Sequence, residues 1–317
     1  MDRKEFLKKS VFAVAASATA ATFSFTGLRK AHAAAGGSKT VAQKSGNLVA
    51  VMGGQPAEML RRTIKELGGI GQYVKPGDKV VVKPNIGWAK TPELAANTNP
   101  EIVGAMVKLC FDAGAKEVVV FDHTCNEWRK CYEMSGIEKA AKANGAKVLP
   151  GNDESYYRDV EIPQGKTLKK AKIHQALLDC DVWFNMPVLK NHGGARMTLS
   201  MKNYMGIVWD RQIFHRAGLQ QCIADVCTFN KKPALNIIDG YRTMSQNGPM
   251  GKSLDDVVKT GVMFGSADPV AVDTAAVKFF SQIKEMTLDA VSHIGLGEKH
   301  ALGTTDLSTL NVKRVKL

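Results

Sequence analysis

Valine-rich runs of five or six residues, set between amphipathic helical stretches, constrain the fold of this chain more than any other feature. Leu48-Val-Ala-Val-Met52, Lys79-Val-Val-Val-Lys83 and Glu117-Val-Val-Val-Phe-Asp122 read as strands. Between the first two, Pro56–Leu67 places Met59, Leu60, Ile64 and Leu67 on one helical face. Asn99-Pro100 opens a second helix, with Asn as cap and Pro in its first turn, running to Gly114. A third helix is expected over Glu127–Asn144, closed by Gly145. Runs that are apolar throughout belong to strands buried on both faces, and strand–helix–strand spacing makes them parallel.

The alternation loosens between Leu149 and Lys172, where Gly, Pro and charge accumulate, so an insertion or a subdivision is expected near 150–172. It resumes with a helix near His174–Leu178 and strands over Val182–Met186, Ala234–Ile238 and Gly261–Phe264. Asp268-Pro269 is a helix start, with Asp as cap and Pro at the first helical position. The expected class is α/β: a doubly wound, mostly parallel sheet with helices on both faces and an elaborated second half.

Residues 1–33 read as an export signal, with a basic start, a mildly apolar middle and the small-residue end Ala31-His32-Ala33. Arg3-Lys4-Glu5-Phe6-Leu7-Lys8 resembles the twin-arginine motif with its second arginine replaced by lysine. That route carries folded proteins, often with a cofactor, so export machinery is an expected partner and the periplasm or cell envelope the expected location. Residues 34–46 read as a linker and 47–317 as the α/β domain. Removing residues 1–33 takes six basic and two acidic residues from the 43 and 30 of the whole chain, leaving 37 and 28, a net charge of +9. That excess suits an anionic ligand. With no arginine-rich arm and no aromatic-spaced basic strip, nucleic acid is not an expected partner.

In doubly wound sheets ligands collect beyond the carboxyl ends of the strands. Here those ends carry Lys83 and Asn85, then Asp122, His123 and Cys125, then Lys190 and His192, then Asp239. Ser200–Gly206, expected to be helical, adds Lys202 and Asn203. Lysines at such positions need an anion or a carboxylate if buried. Two readings stay open. In one, Lys83, Lys190 and Lys202 hold a phosphate or carboxylate oriented by Asn85 and Asn203, with His192 as general acid/base oriented by Asp122 or Asp239. In the other, Asp122 and Asp239 pair with the lysines as scaffold.

Metal ligation is a rival use, with His123 and Cys125 the named ligands and His192, His215, Cys222 and Cys227 in reserve. Cys222 and Cys227 share a helical stretch at a poor chelating offset. No Cys-x-x-Cys occurs, so an iron–sulfur cluster is not expected. Cys110 reads as a small core residue, whereas Cys125 and Cys131 lie outside the apolar pattern and are either a disulfide or two thiols. Gly251-Lys252-Ser253 fails as a phosphate-binding loop because Gln246 stands where its first glycine belongs. No serine-nucleophile elbow is present.

Eight segments together resemble the family known as domain of unknown function 362. They are Val82-Lys-Pro-Asn85, Asn99-Pro-Glu-Ile-Val103, Val119-Val-Phe-Asp122, Asp181 through His192, Met201-Lys-Asn-Tyr-Met-Gly206, Ile238-Asp-Gly240, Asn247-Gly-Pro249 and Asp268-Pro-Val-Ala-Val-Asp273. The resemblance spans Leu48 to Phe280. It implies an α/β scaffold and a site near Lys190, His192, Lys202 and Asp273, and it supplies no reaction. Some members carry an appended ferredoxin-like domain whose cysteines this chain lacks. Asp268 is explained as a helix cap; Asp273, one turn inside that helix, is not, and is a candidate ligand or base. Asn247-Gly-Pro249 is either a plain turn or a loop over the site. The leading expectation is an exported enzyme acting on an anionic small molecule. The alternative is a non-catalytic protein that holds a metal or cofactor for an exported redox enzyme.

Overall fold

The computed structural model describes residues 46–317, so the expected export signal and all but the last residue of the linker lie outside the described region. The valine runs form strands as their patterning requires. They are β1 (Asn47–Met52), β2 (Lys79–Pro84) and β3 (Glu117–Val120), followed by the short β4 (Lys147–Val148). β5 (Tyr157–Glu161) and β6 (Lys170–His174) pair antiparallel as a separate ribbon. β7 (Val182–Met186), β8 (Val188–His192) and β9 (Arg196–Thr198) follow, then β10 (Leu235–Met244), β11 (Val257–Ser266) and β12 (Asn311–Lys316).

The main sheet runs β12-β1-β11-β10-β7-β2-β3-β4, with β8 on β10 and β9 on β8. It is an α/β sheet of mostly parallel strands: β10, β7, β2, β3 and β4 are parallel throughout, as are β1 with β12 and β8 with β10. β9 is antiparallel to β8, and β11 is antiparallel to both β1 and β10. Its approach from β10 through residues 245–256 contains no crossover helix, and without one a chain can only return antiparallel.

Both faces of the sheet are covered. Val80, Val82, Phe184, Met186 and Ile237 pack in one core with the helices Pro56–Glu66 and Pro100–Asp112. Their alternates Val81, Trp183 and Ile238 are equally buried and, by the two-residue strand period, face the other way, where Tyr204 meets Trp183 edge-on.

Helix starts follow their caps. Asn99 Oδ1 accepts from Glu101 N at 2.9 Å, and Asp268 Oδ1 from Ala271 N at 2.8 Å. The expected helix 127–144 is instead two, Trp128–Met134 and Ile137–Ala143, because Gly136 turns left-handed at φ +70 between them. The helix expected near His174 starts at Gln175, since His174 closes β6 and caps it. Residues 46–317 form one unit, and the 150–172 stretch supplies β5 and the start of β6.

Candidate functional site

β2 and β3 end side by side, in register from Lys79↔Glu117 to Val82↔Val120, so the residues after them share one edge. That edge borders a cleft of about 340 Å³. Asn85 and Trp88 enter it from the segment after β2, and Asp122, His123 and Cys125 from that after β3. Lys190 and His192 come from β8, Lys202 and Asn203 from the short helix Ser200–Asn203, and Arg211 and His215 from the segment beyond. Sequence and fold thus bring together Asn85, Asp122, His123, Cys125, Lys190, His192, Lys202 and Asn203. Lys83, Asp239 and Asp273 stand behind the wall.

The three lysines are not equivalent. Lys83, fully buried, forms an ion pair with Asp122 Oδ1 at 2.8 Å and donates to Pro84 O at 2.9 Å and Asn203 Oδ1 at 2.9 Å. An ammonium has three N–H donors, so none is left for a ligand. Burial still pulls its pKa down, against the pull of Asp122. Lys190 likewise donates to Asn85 Oδ1 at 3.0 Å, Pro249 O at 3.0 Å and Ala96 O at 2.5 Å. It offers the cleft charge without free donors. Lys202 has no hydrogen-bond acceptor and no carboxylate partner among the described residues, and it faces the cleft.

The asparagines form a chain that fixes this floor. Asn203 Oδ1 accepts from Asn85 Nδ2 at 3.2 Å, Asn203 Nδ2 donates to Asn185 Oδ1 at 2.9 Å, and Asn185 Nδ2 donates to Asn236 Oδ1 at 2.9 Å. Asn185 also donates to Ser200 O at 2.9 Å, tying β7 to the helix that carries Lys202.

The carboxylates have structural partners. Asp122 holds Lys83 and accepts Ile86 N at 2.6 Å. Asp239 accepts Asn99 N at 2.8 Å and Tyr241 N at 3.0 Å, anchoring the start of the Pro100–Asp112 helix; burial raises its pKa to about 6. Asp273 accepts Ser200 N at 2.7 Å and Met201 N at 3.0 Å, so it holds the N-terminus of the helix bearing Lys202. Burial raises its pKa to about 7.

Neither Asp122 nor Asp239 orients His192, contrary to the expectation from sequence. Its Nδ1 accepts Ala195 N at 3.2 Å instead. Burial, followed by the nearby Lys202 and Lys190, lowers the His192 pKa to about 2. The ring is therefore neutral at ordinary pH, and the free-solution pKa assumed for an acid/base role does not apply here.

His123 donates Nδ1–H to Val208 O at 2.9 Å and stacks on Trp209 with centroids 5.1 Å apart. Burial, then Arg211, lowers its pKa to about 4. Its Nε2 lone pair is thereby left available, the tautomer a metal ligand needs. Among the described residues, however, no three His, Cys, Asp or Glu side chains are placed to share an ion. Cys125 is exposed with Sγ 3.4 Å from Arg211 Nη1, while Cys131 is buried under Gly87 O; both are thiols. Cys131 sits inside its helix and faces the core, which separates it from the loop thiol.

Sequence reasoning missed Arg211, which donates to His123 O at 2.8 Å and Thr124 O at 2.6 Å and so clamps the loop after β3. Nothing in its local pattern announced it. It also missed Gly206, although that residue closes the Met201–Gly206 motif. A Cβ there would stand 1.9 Å from Asp122 Oδ1 and 2.5 Å from Lys83 Nζ. Asn247-Gly-Pro249 is bound to the site: Asn191 Oδ1 accepts Gly248 N at 3.1 Å, and Pro249 supplies its carbonyl to Lys190.

Fold and cleft together define an α/β protein with a cationic pocket at the ends of its parallel strands, with Asp122 the one carboxylate on the pocket wall among the described residues. The chain belongs to the family described as Domain of unknown function (DUF362), whose model matches residues 80–278. It is 28% identical over 221 residues to the thylakoid-associated protein sll1697 of Synechocystis sp., a match covering 68% of this chain and 66% of that protein, just under two thirds of its length. Among solved structures it is similar to the lactate racemase apoprotein of Thermoanaerobacterium thermosaccharolyticum, at 11% identity and a TM-score of 0.39, covering 76% of this chain and 57% of that one. A Thermotoga maritima protein matches at 10% identity and a TM-score of 0.34, covering 77% and 58%.

Proposed function

We propose that this cleft binds a small anionic molecule, carboxylate- or phosphate-bearing, and that the protein is an enzyme acting on it. One observation carries the reading: Lys202 lines the cleft with no partner for its amine among the described residues, beside the committed charges of Lys190 and Arg211. A half-buried cation without a counter-charge is costly, and an anion relieves that cost while gaining hydrogen bonds from the free N–H groups. Lys83 and Lys190 contribute field and rigidity, and Lys202 makes the contact. Asn85 and Thr198 supply polar groups beside it.

A thermal-shift screen of carboxylated and phosphorylated metabolites tests this. At least one anion should raise the melting temperature of the wild type. Lys202→Met should lose the shift, since a charged hydrogen bond is worth about 1.5–3 kcal/mol, or roughly 10- to 100-fold in affinity. An identical shift in the variant would place the anion elsewhere.

Export rests on residues 1–33, outside the described region, and is proposed on the sequence pattern alone. Among the described residues no helix is long and apolar enough to cross a membrane. Cell fractionation should find the mature chain outside the cytoplasm, shortened near Ala33. An intact N-terminus on cytoplasmic protein would refute it.

A further inference from the structure

Lys202 differs from its neighbours in what holds its proton. Lys83 is paired with Asp122, and Lys190 is enclosed by three oxygen acceptors, with burial pushing its pKa down to about 7. No such acceptor stands against Lys202 among the described residues. Two other cationic side chains line the same space, Lys190 and Arg211, with Lys83 behind its wall, and Asp122 is already shared between Lys83 and Ile86 N. An amine with no acceptor against it keeps its nitrogen open to a ligand, whereas the Lys190 nitrogen is enclosed by three oxygens, and an unprotonated amine is a nucleophile. Burial first, then Arg211 and Lys83, lower its pKa to about 8.

Its position is also fixed as a nucleophile's must be. Asp273 holds both leading amides of its helix, and Asn185 holds the carbonyl of Ser200. Asn203, the next residue, is locked by Lys83, Asn85 and Asn185. The charges of Lys190 and Arg211 provide for a carboxylate, and His192 and His215 offer ring nitrogens at the same cleft.

We infer that Lys202 forms a Schiff base with a small oxo acid, a carboxylate whose neighbouring carbon is a ketone or aldehyde. The inference rests on the anion-binding reading of the same cleft and names its substrate class. The Nζ lone pair adds to the carbonyl carbon, forming the C–N bond while the C=O π pair moves to oxygen. The amine proton passes to that oxygen, giving a carbinolamine. One proton from solvent then lets the C–O bond break; water leaves, and the nitrogen pair closes a cationic C=N bond. No electrons are exchanged with any third group. The iminium so formed can withdraw electrons from an adjacent C–H or C–C bond.

The full chain is incubated at pH 7 with pyruvate, glyoxylate or 2-oxoglutarate and cyanoborohydride, which reduces an iminium to a stable secondary amine, and the adduct is mapped by peptide mass spectrometry. An amine titrating at about 8 is neutral at pH 7 on the order of 100-fold more often than an ordinary lysine near 10.4, so Lys202 should label on that order faster than surface lysines. Lys202→Arg, which keeps the charge, should lose the adduct. In parallel, the melting temperature of unreduced protein is followed with pyruvate and with propionate, which has no keto group. Stabilisation by both without labelling at Lys202 overturns the Schiff base and leaves the anion site standing. No stabilisation by any carboxylate or phosphate and no adduct overturns both. Labelling spread evenly over many lysines also overturns the inference.

Discussion

Gly206→Ala should lower the melting temperature by roughly 10 °C, through loss of the buried Lys83–Asp122 pair rather than through backbone strain. The methyl group would stand 1.9 Å from Asp122 Oδ1 and 2.5 Å from Lys83 Nζ, inside contact distance of both. The pair is 2.8 Å long with side chains 0% and 2% exposed, so neither end can swing into solvent. Breaking a buried pair costs about 3–5 kcal/mol, and a domain of this size loses about 2–4 °C per kcal/mol. Lys83→Met should cost as much, because it leaves Asp122 charged and buried. The double variant Lys83→Met, Asp122→Asn should recover much of the loss, since it removes both charges together. Thermal denaturation of the four proteins checks this. A Gly206→Ala protein as stable as the wild type would show that the pair can rearrange and sink the prediction.

Acidification below pH 6 should destabilise the protein by about 1.4 kcal/mol per pH unit down to about pH 4. His123, His192 and His293 are held neutral in the fold, at about 4, 2 and 3, chiefly by burial. Unfolded, each takes a proton near 6.5, so between about pH 6 and 4 the unfolded state holds up to three protons that the native state lacks. Stability is then lost as pH falls. Asp239 and Asp273 oppose this, because burial raises them to about 6 and 7 and the native state gains up to two protons over the same range. For these five groups one proton net remains, about 1.4 kcal/mol per pH unit; His174 and His215, also lowered by burial, add to the loss, and Asp268, raised by burial, opposes it. Urea midpoints from pH 7 to 4 measure the slope, and His192→Gln should flatten it by about one proton. A wild-type midpoint independent of pH over this range would show that the histidines are not held neutral.

Much of the site was legible because it lies where an α/β sheet places ligands. Asn85, Asp122 and His123 follow strands whose valine content marked them, Lys190 and Lys202 come from β8 and the short helix Ser200–Asn203, and they converge because β2 and β3 are in register and β8 returns beside β10. Roles were far less legible. Asp239 and Asp273 look from the sequence like the other acids. Only their backbone partners, Asn99 and Tyr241 for one, Ser200 and Met201 for the other, show that they hold chain ends in place. His192 drew attention for a pKa that free solution sets and burial removes.

The sequence by itself determined the strand–helix alternation, the capped helices at Asn99 and Asp268, and the collection of lysines and asparagines at one edge. These follow from local properties: apolar periodicity, the geometry of Asn-Pro and Asp-Pro, and the two-residue repeat of a strand. Tertiary structure alone decided that β11 runs antiparallel and that Gly136 splits a helix in two. It also decided which lysine keeps free donors. That last question depends on carbonyls brought from Pro84, Ala96 and Pro249, and on an Asp122 carboxylate 39 positions from Lys83. A lysine's chemistry is set by the acceptors around its three N–H groups, and a linear sequence does not contain those distances.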